Sequence, residues 1–142
     1  MIKVGVIMPA TIDDAGEFLA DVRALEAAGA KLIGLEGNGR EQAILLAAIA
    51  AVTESVQLHL SDPEAIALLQ KLSRGRIVTS MPLGETWVEM SMPSDRDSWT
   101  ASLRAHEAAG AHGVIVAWDP RLIDLLRNPE PDDRSDLLMS TG

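Results

Sequence analysis

The sequence predicts an α/β fold of parallel strand–helix repeats, arranged either as a barrel or as a doubly wound sheet and broken once by an antiparallel hairpin. Three observations predict it. Short apolar, β-branched runs alternate with longer segments whose apolar residues fall at helical spacing. One strand–helix–strand unit occurs twice: Phe18 to Ala30 lines up with Trp99 to Ala111, each copy follows a Met-Pro pair (Met8-Pro9, Met92-Pro93), and each precedes an apolar strand. Finally, only Pro82 to Glu85 separates two strand-like runs, which is too short for a parallel crossover.

The elements follow in chain order. Residues 2–8 are a strand closed by Pro9, and Gly16 to Ala28 a helix that Gly29 ends as a left-handed cap. Residues 31–36 form a buried strand running into Glu36-Gly37-Asn38-Gly39. Glu41 to Glu54 is a second helix, rich in Ala and Leu on nearly every face and so expected to be buried all round, and residues 56–60 are the third strand. Asp62-Pro63-Glu64 has the cap, proline and acid of a helix start, and that helix should reach Leu72. Runs 76–81 and 86–92 are the expected hairpin. Ser94 to Asp97 resembles a capping box before a helix at 97–109, residues 113–118 are the last strand, and Asp119-Pro120 opens the last helix. Residues 1–129 thus read as a single α/β domain. Residues 130–142 read as an extended acidic C-terminal tail, whose Leu137-Leu138-Met139 should dock on something.

Composition removes several functions. A formal charge of −9, from 21 acidic and 12 basic residues, repels phosphate backbones and anionic lipid, so nucleic acid and membrane are not expected partners. The chain has no cysteine, which excludes disulfides, thiolate metal sites and cysteine nucleophiles. Its start reads as a strand rather than a secretory signal, and the longest apolar run is too short to span a bilayer, so a cytoplasmic protein is the expectation.

Parallel β/α folds bind ligands at the carboxyl ends of their strands. There the sequence supplies Met8, Pro9 and Thr11, then Glu36 and Asn38, then His59 and Ser61, then Trp118 and Asp119. Glu36 and His59 are a candidate acid–base pair, and Trp118 could wall a flat ligand, with Met8, Pro9 and Thr11 lining the same end. Each has a plainer explanation: Glu36 as a solvated turn residue, His59 as a strand histidine, Trp118 as core, Asp119 as a helix cap. Gly34 to Gly39 lacks the glycine offsets of a dinucleotide loop, and Glu36 would oppose a pyrophosphate. The three histidines are not at metal-ligand spacing, so no metal is expected.

Val4-Gly5-Val6-Ile7-Met8-Pro9, the helix through Glu26-Ala27-Ala28-Gly29-Ala30, the run Leu45-Leu46-Ala47-Ala48 to Thr53-Glu54, and Leu72-Ser73-Arg74-Gly75-Arg76 together resemble the front half of the bacterial-luciferase-like flavin-dependent oxidoreductases. The resemblance implies a truncated TIM-like barrel carrying the hairpin. It also implies an FMN- or deazaflavin-dependent oxidoreductase or monooxygenase activity, for which the strand-end residues His59 and Glu36 are the candidate catalytic pair and Met8, Pro9, Thr11 and Trp118 the candidate cofactor contacts. Members of that family are complete eight-stranded barrels about twice this length, with the phosphate held by later loops that have no clear counterpart here. The expected functions are therefore a shortened relative that binds a flavin-type or other flat ligand, a non-catalytic relative that associates with itself or with a full-length oxidoreductase, or an unrelated small doubly wound domain. A barrel stopped after its fourth strand leaves edges and an unfilled face, so a homodimer is expected.

Overall fold

The computed structural model describes residues 2–9, 11–37, 39–60, 66–80 and 84–127. Asn38, Ser61, the helix start at Asp62-Pro63-Glu64, Met81-Pro82-Leu83 and the tail at 130–142 lie outside the described residues. In chain order the elements are β1 (Lys3–Met8), α1 (Ala15–Ala28), β2 (Leu32–Leu35), α2 (Gly39–Val52), β3 (Gln57–His59), α3 (Ile66–Leu72), β4 (Ile77–Val78), β5 (Trp87–Glu89), α4 (Arg96–Ala108), β6 (Gly113–Ala117) and α5 (Leu122–Arg127).

The six strands form one sheet in the order β4-β3-β2-β1-β6-β5, and every pairing is parallel. The steps β1 to β2, β2 to β3, β3 to β4 and β5 to β6 all move in the same direction across the sheet. Right-handed crossovers that never reverse direction put every helix on one face. The core shows this: Val4, Val6, Met8, Ile33, Leu35, Leu58, Ile77, Val114 and Val116 share one cluster with Val22, Leu46, Leu69, Trp99 and Leu122 from the five helices. The sheet is therefore singly wound, and of the two arrangements the sequence left open the doubly wound one is excluded.

The antiparallel hairpin is corrected by the same pairing. β5 lies beside β6, in parallel, at the edge of the sheet opposite β4. The physical reason is a ring on a glycine: Trp87 pairs with Gly113, and a Cβ placed on Gly113 would come within 2.4–2.6 Å of three carbons of the indole. Only a residue without a side chain lets the ring lie down there. Backbone and side-chain bonds then fix the register, with His112 N donating to Thr86 O at 2.8 Å, Thr86 N donating to His112 Nδ1 at 3.0 Å, and Lys3 Nζ meeting Glu85 Oε1 at 2.8 Å.

The expectation that α2 is buried all round is also corrected. Gln42, Leu46, Ile49 and Ala50 face the sheet, but Ile44 is 61% exposed. Helix starts are cap-driven: Asp14, which the sequence reading did not single out, accepts from Glu17 N, and Asp95, inside the expected Ser94–Asp97 box, accepts from Ser98 N.

Candidate functional site

The carboxyl ends of the strands meet where Glu36 N donates to Met8 O and Trp118 N donates to Ile7 O. The six candidate residues do not converge there. Met8 is buried on the helix side of the sheet, and Trp118 is half-buried against the same core. Pro9 is half-buried, and Thr11 and Glu36 are exposed. His59 points to the face without described helices, where its Cβ lies 3.5 Å from the place a Cβ on Gly34 would take. Glu36 and His59 share no hydrogen bond or ion pair among the described residues, so no acid–base dyad is formed between them.

That second face is a layered surface. Its upper row runs Ala117, Ile7, Gly34, His59, Val78 and its next row Glu89, Ile115, Gly5, Leu32, Gln57, with Lys3, Gly113 and Trp87 below. The glycines are floors: Leu32 and Trp87 close over Gly5, Ile7 over Gly34 and Trp87 over Gly113. Leu32 is thereby buried, while Ile7, Ile115, Val78, His59 and Trp87 remain half-exposed. Trp87 Nε1 is buried and meets no acceptor in hydrogen-bond geometry, although the Glu85 carboxylate is close enough to feel it weakly. Burial holds the His59 imidazole below its usual value of 6.5, so it is neutral at pH 7.

Two polar devices escaped the sequence reading. Gln42, buried on α2, donates through Nε2 to the carbonyls of Leu35 and Gly37 at 3.2 and 3.1 Å and so fixes the turn that carries Glu36. At the opposite end of the strands, the Glu26 carboxylate accepts from the successive amides of Glu54, Ser55 and Val56 at 2.8–2.9 Å. Burial raises the Glu26 pKa, but those three amides and Arg76 outweigh it and hold it below 4.5. The Arg76 guanidinium donates to the carbonyls of Ala50, Thr53, Val56 and Ser73 and to Thr53 Oγ1, satisfying the end of α2. A cleft of about 220 Å³ adjoins it, lined by Ala50, Ala51, Thr53, Leu72, Arg74 and Arg76 among others. It lies at the amino ends of the strands, and the donors of Arg76 are already used by the fold.

The donors at the carboxyl ends do not fit a flavin phosphate among the described residues. Asp119 is bound to Arg121, whose Nη1 also donates to Ser94 O. Arg40 stands between the exposed Glu36 and Glu41. No cluster of His, Asp or Glu among the described residues could hold a metal ion, and no described helix is long and apolar enough to cross a membrane. Compared with known protein families and with curated proteins, the chain matches none.

Proposed function

We propose that the chain is a shortened barrel wall of luciferase-like ancestry whose task is association rather than catalysis, its open sheet face being the surface that takes another polypeptide. The observation that carries this reading is the one-sided sheet. Parallel strands are ordinarily covered on both faces, and here Ile7, Ile115, Val78 and Trp87 stay half-exposed on the face that no described helix covers. The succession of β1 to β4 in one direction across the sheet, with β5 and β6 on the other side of β1, supports the barrel-wall ancestry.

A second reading has one specific observation in its favour. His59 is neutral, unpaired and set on an apolar shelf with Ile7 and Val78, a surface suited to a flat heterocycle. Titration with FMN and with reduced deazaflavin, followed by visible absorbance, separates the two. The association reading expects no saturable binding at about 100 μM ligand, together with a mass above that of the monomer in light scattering at high micromolar protein. Stoichiometric flavin binding abolished by His59→Ala would overturn it.

A further inference from the structure

The first rung that ties β5 to β6 is built differently from the rest of that ladder. Register pairs Trp87, Val88 and Glu89 with Gly113, Val114 and Ile115, and the far end closes main chain to main chain, Met90 N donating to Ile115 O at 2.9 Å. Two residues before Val88, the same ladder would set Thr86 N on the carbonyl of Ala111. Thr86 N donates instead to His112 Nδ1 at 3.0 Å, while Thr86 O accepts from His112 N at 2.8 Å. One histidine thus holds both main-chain groups of Thr86. Both residues are exposed, so a proton from solvent reaches the ring.

We propose that His112 is a pH-sensitive latch on β5: the strand is fastened while the imidazole is neutral and loosens at its amino end when Nδ1 takes a proton. A main-chain carbonyl accepts a hydrogen bond at any pH, whereas an imidazole nitrogen accepts only while its lone pair is free. Protonated His112 would turn an N–H toward the N–H of Thr86, so ring and strand must part. Histidine is the side chain that makes this change within about pH 5 to 8. The charged groups around the ring come from three elements. Lys3, at the start of β1, donates through its main chain to His112 O and through Nζ to Glu85 Oε1. Glu85, in the turn before β5, is close enough for its carboxylate to feel a charge on His112. The end of α4 carries His106 and Glu107, whose main-chain carbonyls accept from Ala111 N and Gly110 N. The imidazolium therefore has a carboxylate to turn to, and Glu85 is then shared between Lys3 and His112. Only three residues of β5 pair with β6, so one rung is a large part of its hold. Its loss frees Trp87 from Gly113, and with it the lower rim of the open face. The latch works whether or not that face takes a partner.

An amide NMR titration of the full chain from pH 7.5 to 5.0, with the His112 ring signals followed alongside, tests this. The Thr86 amide proton should move upfield with the midpoint of the His112 ring. Hydrogen exchange at Thr86, Val88 and Met90, corrected for its intrinsic pH dependence, should lose about fivefold in protection, the net worth of one hydrogen bond. Amides of β1 and β2 should keep theirs. His112→Gln, whose amide oxygen has no proton to gain in this range, should make the protection of β5 independent of pH, and His59→Ala should respond as wild type does. A Thr86 amide that stays in place while the His112 ring titrates overturns the latch. So does one that moves while β5 keeps its protection, since water has then replaced the rung without freeing the strand. A loss of protection that persists in His112→Gln, or that disappears in His59→Ala, overturns it as well.

Discussion

On the helix side of the sheet, Val4, Val6, Ile33, Leu58 and Val114 are at most 5% exposed and fill their layer with branched side chains. On the other side the same strands present Gly5, Gly34 and Gly113, and the few large groups there lie down on those glycines. One face is stabilised by volume and the other by the absence of Cβ atoms. The difference teaches where the chain tolerates change: a truncation on the helix side leaves a cavity in a close-packed layer, while one on the open side exposes a surface already half in water.

That contrast predicts its own largest effect. Leu58→Ala should cost about 2–5 kcal/mol in denaturant unfolding and Ile115→Ala under about 1, and equal losses would show that the open face is as tightly packed as the core. Gly113→Ala should cost about 1–3 kcal/mol, because its methyl occupies the place of the Trp87 ring; a red shift of tryptophan emission should accompany it as the indole is pushed into water. If Gly113→Ala is silent in both, β5 is not held by the ring on the glycine.

A smaller effect, about 1 kcal/mol at neutral pH, is expected of Glu26→Gln, which keeps the shape but not the charge facing the amides of residues 54–56. Because the folded pKa of Glu26 is depressed, its contribution is complete above 4.5 and is lost as pH falls from there through the folded value. The stability curves of wild type and variant should therefore converge below pH 4.5, and parallel curves would show that the carboxylate does not hold the turn. His59→Ala should have the smallest effect. The imidazole pKa is lowered by burial, so the unfolded chain takes up a proton first and stability declines as pH drops below 6.5. The variant should lack that part of the decline, and an unaltered slope between pH 7 and 5 would place the imidazole in water.

Much of the first half was legible because its signals are local. Gly29 ends α1 through its own backbone preference, and the strands near 2–8, 31–36, 56–60 and 113–118 were marked by runs of branched apolar residues. The candidate site was less legible. A position at a strand end tells which residues are near the rim but not which face they turn to, and Met8 and Trp118 turned toward the helices while His59 turned away. Gln42 and Arg76 looked like ordinary helix and strand residues, since their partners are carbonyls that only the folded chain brings near.

By itself the sequence determined the succession of strands and helices and the glycine stop at Gly29, which follow from periodicity and backbone preference within a dozen residues. The tertiary structure alone decided that β5 crosses to the far edge and pairs in parallel, that every helix falls on one face, and that α2 keeps Ile44 in water. Those outcomes depend on contacts between residues far apart in the chain. Trp87 resting on Gly113 is one of them, and neither residue announces the other until the sheet has formed.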